Sequence, residues 1–169
     1  LNAGGMPVNV ELNTADDLVG AVLHHVRGLL GGREVHVRRD ANDAMLFGTF
    51  DMVQSLRVLA NLVDNALRHT HPPAPVELFV ERHGAALVFS VADRGPGIPM
   101  EERERVFEPF YRPPGTRANV GGAGLGLAIA RRLAEAQGGT VRYAPRPGGG
   151  SVFAFAVPAA DAPVIEEPA

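Results

Sequence analysis

Apolar residues recur at two different periods along this chain, and the changes of period mark out its elements. In "TADDLVGAVLHHVRGLL", Leu18, Val22, Val26 and Leu29 fall on one side of a helix. Thr14 precedes it as a capping residue, acids occupy its first turn, and Gly31-Gly32 ends it. A second helix is predicted from a cap at Asp51 to about Thr70, with Met52, Leu56, Leu59, Val63 and Ala66 as its apolar stripe. A third, "GLGLAIARRLAEAQGG", opens on glycines and stops at Gly138-Gly139. "MEERERVFEPF" reads as a short acidic-to-apolar helix.

Between the helices the period drops to two. "VNVEL" (8–12) and "EVHVRR" alternate as strands, and "VELFVERHGAALVFSVAD" is a hairpin turning at His83-Gly84. "TVRYAPRPGGGSVFAFAVP" is a second hairpin, turning at its glycine run. "HPPAP" breaks the chain, "DRGPGIP" forces a tight exposed turn, and "YRPPGTRANVGG" has no periodicity and reads as a mobile loop. Strands and helices mix without strict alternation. That predicts an α/β (α+β) sandwich: one mixed, mostly antiparallel sheet with its helices packed on a single face. Residues 1–7 read as a linker remnant, 8–158 as the domain and 159–169 as a disordered tail.

Composition excludes several chemistries. With 46% hydrophobic and 21% charged residues the chain reads as globular, and no apolar run is long enough to span a bilayer. No leader opens it. A net charge of −3 argues against a broad nucleic-acid-binding face. Cysteine is absent, which removes disulfides and thiolate chemistry. All sixteen basic residues are arginine, so neither a P-loop nucleotidase nor a eukaryotic-type protein kinase can be built, since each needs a lysine.

The second helix carries a polar stripe beside its apolar one. Arg57, Asn61, Asn65 and Arg68 follow one another at helical spacing, although asparagine is a mediocre helix former. Asn65 offers a neutral oxygen suited to Mg²⁺, which takes few protein ligands and keeps phosphate and water for the rest; otherwise it is a surface asparagine. Asp93 ends a strand at a sharp turn, where it either accepts from an exocyclic amine such as adenine N6 or caps the turn itself. In "VGGAGLGLAIARRL" glycines lead into a helix, so backbone N–H groups could meet an anion there; the alternative is a loop with no ligand. The spacing of Gly122, Gly124 and Gly126 is not the dinucleotide fingerprint. His24 and His25 are neighbours that cannot face one target, and read as surface or core-edge residues.

In this order the motifs resemble the catalytic ATP-binding domain of bacterial sensor histidine kinases, within the wider family of Hsp90, type II topoisomerases and mismatch-repair ATPases. "NLVDNALRHT" resembles the N box, "DRGPGIP" the G1 box, "FEPFYR" the F box and "GGAGLGLAIARRLAEAQGG" the G2 box. "DRGPGIP", "FYR" and "RPGGGSVFAF" are most similar to the potassium-responsive branch.

The resemblance implies roles for named residues. Asn65 would ligate Mg²⁺ on the ATP phosphates, with Asn61 one turn earlier and Arg68 near phosphate. His69 stands where many relatives place a tyrosine against adenine. Asp93 would accept from adenine N6, with Gly95 and Gly97 letting the base approach the backbone and Ile98 beside them. Phe107 and Phe110 would anchor a lid, and Arg112 would reach the γ-phosphate. Gly122, Gly124 and Gly126 would present backbone to phosphate, with Leu125 and Leu127 holding the lid base. ATPase relatives carry a glutamate general base at the position of Asn61. An amide cannot take a proton, so this domain is expected to hold ATP for transfer, not to hydrolyse it.

The implied acceptor is a histidine on a separate dimerisation domain, and the implied downstream partner a response regulator. No acceptor segment is present, so a monomeric fragment that does not autophosphorylate alone is expected. It would be cytoplasmic, without membrane contact of its own, whether or not its parent is anchored in the inner membrane. Two rival readings are a degenerate nucleotide-sensing module, suggested by His69 and Ala123, and a serine kinase of the anti-sigma-factor type.

Overall fold

A computed structural model describes residues 7–39, 44–112 and 124–164. Seven strands form one sheet: β1 (Glu11–Thr14), β2 (Val35–Arg39), β3 (Phe47–Phe50), β4 (Val76–His83), β5 (Ala86–Asp93), β6 (Thr140–Pro145) and β7 (Ser151–Ala160). Three α-helices accompany it: α1 (Ala15–Val26), α2 (Met52–Arg68) and α3 (Gly126–Ala136). The strand order is β1-β3-β7-β5-β4-β2, with β6 also pairing with β7. Among the described residues only the β2–β4 pair is parallel. This is the expected mixed, mostly antiparallel sheet with helices on one face.

Alternation along the central strands sets the layers. Val76, Leu78 and Val80 of β4, Leu87, Phe89 and Val91 of β5, and Phe153, Phe155 and Val157 of β7 are buried, while the residues between them are not. Cross-strand register places Val91 beside both Leu78 and Phe153, and Phe89 beside both Val80 and Phe155. Phe89 stacks on Phe155 at 6.0 Å and meets the edge of Phe50 at 6.2 Å. Each fully buried ring of this kind contributes on the order of 1.5–3 kcal/mol by leaving water. No helix among the described residues is long and apolar enough to cross a membrane.

Both predicted helix caps are made. Thr14 Oγ1 accepts from Asp17 N at 3.1 Å, and Asp51 Oδ1 accepts from Gln54 N at 2.8 Å. The buried face of α2 is broader than its predicted stripe: Ser55, Val58, Leu59, Leu62, Val63 and Ala66 are buried, with Met52 and Leu56 at the margin. The reason is position, because α2 packs between α1 and α3 as well as on the sheet.

Five local expectations change. Helix α1 stops at Val26, and Leu29, expected on its apolar stripe, lies in a 3-10 turn, 53% exposed. Strand β1 starts at Glu11 and not at Val8, because Asn9 N is taken by the Asp51 carboxylate at 2.7 Å before pairing with β3 begins. Strand β3 was not anticipated. The segment "MEERERVFEPF" is not one helix but two 3-10 turns, Met100–Glu102 and Arg105–Phe107, between Pro99 and Pro109. Strand β7 runs through Ala160, into the segment expected as a tail, because Ala159 and Ala160 pair with Gly48 and Phe47.

Candidate functional site

Helix α2 supplies the floor of the site. Asn61 and Asn65 lie one turn apart on a half-buried face. Neither side-chain amide hydrogen-bonds to another described residue, so their oxygens remain open to a ligand. A Cβ added at Gly126 would sit 3.7 Å from Asn61 Oδ1, which puts the amide stripe against the first residue of α3. The residue before α3, Leu125, makes no side-chain cap, and the first-turn N–H groups have no such acceptor there. Arg68 is paired with Asp64 at 2.8 Å along the helix surface, so its charge is shared.

The opposite wall comes from β5. Its inward row, Leu87, Phe89, Val91, continues one step further to Asp93, a carboxylate only 3% exposed at the end of an apolar file. Burial pushes the Asp93 carboxyl above the ordinary carboxylate range, opposed by backbone N–H donors from Gly95 and Ser151 and by the charges of His69 and Arg146. Asp93 Oδ1 accepts from Gly95 N at 2.8 Å, so it does close its own turn. Its second oxygen leaves room for a further donor.

The turn after Asp93 is pressed against the end of α2. A Cβ on Gly95 would lie 2.6 Å from the His69 carbonyl and 3.3 Å from Thr70 Cγ2, a gap that admits no side chain. His69 is exposed, yet its imidazole is held below its ordinary pKa. Desolvation is the main cause; Asp93 opposes it, and Arg68 and Arg112 reinforce it. His69, Asp93, Arg68 and Arg112 therefore share one electrostatic neighbourhood.

The "FEPFYR" segment has two different ends. Phe107 is buried, edge-on to Phe153 at 6.0 Å and covered by the Arg131 guanidinium at 4.3 Å. Phe110 is 68% exposed, with a φ of 66° that side chains rarely adopt. Its N–H donates to Gly124 O at 3.1 Å, tying the segment to the start of α3. Leu127 packs on the core margin, while Gly122 and Ala123 lie outside the described residues. Ile98 is half-buried against the core, and its N–H donates to the Tyr143 hydroxyl at 3.0 Å.

Three contributors were not visible as motifs. Arg33 donates to Leu67 O at 2.9 Å, to Ala74 O at 2.8 Å and to Thr70 Oγ1, closing the last turn of α2. Thr70 Oγ1 in turn donates to Ala66 O at 2.8 Å. Ser151 lies opposite Asp93 in the β5–β7 register, which the hairpin pattern could have revealed once those strands were paired.

Comparison with known proteins gives a consistent result. A family profile described as "Histidine kinase-, DNA gyrase B-, and HSP90-like ATPase" matches residues 51–161. The sensor-like histidine kinase SenX3 of Mycobacterium tuberculosis is 37% identical over 85% of this chain and 35% of its own length. Sensor protein KdpD of the same organism is 41% identical over 68% of this chain and 13% of its own. The chain thus spans about a third, or less, of these relatives. Among solved structures, the catalytic domain of histidine kinase ThkA is 28% identical, with a TM-score of 0.75 over 89% of this chain and 95% of that one.

Proposed function

Because the chain belongs to the family of histidine kinase-, DNA gyrase B- and HSP90-like ATPases, we propose that its cleft holds Mg-ATP for transfer of the γ-phosphoryl group to a histidine. That histidine lies on a separate helical dimerisation domain, and the phosphoryl group passes on to a response regulator in two-component signalling. The observation that carries the reading is the convergence on α2. Buried Asp93 and the Gly95 turn close on its C-terminal end, while the Asn61 amide meets the start of α3.

The chain's own groups divide the work. Asp93 accepts from the N6 amine of adenine, and the Gly95 turn, with Gly97, admits the base against backbone. His69 covers the base, less strongly than a phenol ring would. Asn65 presents its amide oxygen towards Mg²⁺, and Asn61 lies one turn back on the same face. Among the described residues there is no cluster of three His, Cys, Asp or Glu side chains able to cage a metal. The donor set therefore fits a cation that takes most of its oxygens from phosphate and water, as Mg²⁺ does. When bound, that ion neutralises phosphate charge. Arg112 and the first turn of α3, from Leu125 and Gly126, meet the phosphate chain, with Gly122 and Gly124 in the preceding loop. Asn61 has no basicity with which to activate water, so the triphosphate persists until an acceptor arrives.

His24 and His25 are exposed on α1 and belong to this domain, not to an acceptor helix. On this reading the domain alone is expected not to label itself. Calorimetric titration with ATP, with and without Mg²⁺, tests the site. Adding a dimerisation domain that bears a phosphoacceptor histidine then tests the transfer. Mg-dependent binding followed by acid-labile phosphohistidine is expected. A folded sample that takes up no nucleotide overturns the reading, and phosphoserine on a protein substrate would replace the acceptor class.

A further inference from the structure

We propose that a second cavity, behind the "DRGPGIP" turn, binds a small organic anion of the phosphate-monoester type and communicates with the Asp93 cleft. The communication rests on the function proposed above; the binding does not.

The cavity has a volume of about 370 Å³ and is walled by Pro96, Pro99, Pro145, Arg103, Tyr143 and Arg146 together with neighbouring glycines. That volume is within the range of small-molecule sites. It shares Gly97 and Ile98 with the turn, but Asn65, His69 and Asp93 do not line it.

Its chemistry is one-sided. No acidic side chain lines it, and Arg103 and Arg146 bring two guanidiniums to its wall. Arg103 uses Nε on Ile98 O at 3.1 Å and lays its guanidinium 5.2 Å over the Tyr143 ring. Its terminal nitrogens have no carboxylate partner among the described residues. The Tyr143 oxygen accepts from Ile98 N at 3.0 Å, and Ser151 Oγ is 3.5 Å away, so the phenolic proton has no close acceptor. Among the wall carbonyls, Ile98 O is engaged by Arg103, Gly150 O by Arg146 N, and Gly149 O by Arg146 Nη1. The donors left over are the Arg103 terminal nitrogens and the phenolic proton of Tyr143.

Charge behind the cavity points the same way. Glu77 is the shared partner of three guanidiniums, Arg146 at 2.9 Å and Arg38 and Arg94 at 3.9 Å each. Asp93 also acts on Arg146, so the charge left without a carboxylate partner at the cavity, among the described residues, is that of Arg103. An arginine fork with a phenolic proton matches phosphoryl oxygens, and the proline walls suit an apolar body.

The route to the cleft is one residue thick. A Cβ on Gly97 would lie 3.3 Å from Gly150 O, and one on Gly150 would collide with the carbonyl oxygen of Asp93. A ligand seated on Gly97 and Gly150 therefore bears on the strand end that carries Asp93. The expected effect is a severalfold change in nucleotide affinity.

Only two tyrosines occur in the chain, so fluorotyrosine labelling gives two resonances, assigned with Tyr111→Phe. Titration of the whole chain with phenyl phosphate should shift the Tyr143 signal saturably and leave Tyr111 in place. Inorganic phosphate should do the same more weakly. Arg103→Gln should abolish the shift, and Arg103→Lys, which keeps the charge without the fork, should retain a weakened one. No shift by about 10 mM, a concentration well above that needed for specific capture, overturns the site. So does a shift of equal size in Arg103→Gln. A Tyr143 shift with unchanged ATP affinity overturns the communication. Failure to bind nucleotide at all is a separate result, which the Tyr143 signal does not depend on.

Discussion

Arg33, from the segment before β2, donates to the carbonyl of Leu67 at 2.9 Å and so closes the C-terminal turn of α2 from outside the helix. Its other bonds, to Ala74 O and Thr70 Oγ1, hold the turn that presses His69 and Thr70 against Gly95. Hydrogen bonds from a charged donor contribute about 1.5–3 kcal/mol each when partly buried, and they are not additive. Arg33→Met should therefore lower the urea unfolding free energy by about 2–4 kcal/mol. In the fraction that stays folded, discrimination between ATP and a purine triphosphate lacking the N6 amine should fall. Unchanged stability would show that water replaces the guanidinium without loss.

Asn65→Ala removes one oxygen on a half-buried helix face and disturbs no bond to another described residue. The fold should survive, with a thermal midpoint within a few degrees of the parent, since helix propensity favours alanine. Mg-dependent ATP binding should be lost, while any weak Mg-independent binding stays. Circular dichroism and calorimetry on the same sample separate these outcomes, and undiminished Mg-ATP affinity would remove Asn65 from the site.

Asp93→Asn tests recognition against stability. Loss of a charged acceptor for the adenine amine should weaken ATP by about ten- to a hundredfold, the equivalent of about 1.5–3 kcal/mol. Stability should move the other way. Burial raises the folded pKa of Asp93 above its ordinary 3.8, so the folded chain retains a proton that the unfolded chain has released. The stability tied to that proton is complete below 3.8 and is lost as pH rises through the folded value. Relative to the parent, Asp93→Asn should thus gain stability as pH climbs out of that window, then level off. Denaturant unfolding at a series of pH values measures it.

Gln137→Ala probes the far end of α2. Gln137 is buried, its Oε1 accepting from Asp51 N at 2.8 Å and its Nε2 donating to Ser55 Oγ at 3.0 Å. Truncation strands both partners, at a cost of about 1–3 kcal/mol per unsatisfied group. The urea midpoint should fall clearly while ATP affinity per folded molecule stays the same.

Local pattern made the larger elements legible. The four-residue spacing of Asn61 and Asn65 placed them on one face of α2, and alternation through Leu87, Phe89 and Val91 gave β5 and its inward end at Asp93. Strand β3 escaped because Phe47 to Phe50 is four residues with glycine inside, too short for alternation to register. Tertiary pairing with β1 and β7 makes it a strand. The part played by Arg33 escaped for a similar reason. A lone arginine between a helix and a strand carries no periodic signal, and its carbonyl partners, Leu67 and Ala74, lie more than thirty positions away. Within the candidate site, the motifs point to single residues, whereas the tight approach of Gly95 to His69 and Thr70 is a property of the assembled fold.

The bond from Phe110 N to Gly124 O also acts as a clasp between the "FEPFYR" segment and the start of α3. Phe107, three positions earlier, is anchored in the core. A residue inserted or deleted between Phe107 and Phe110 would carry the donor out of register, so a length change there should be felt at the first turn of α3.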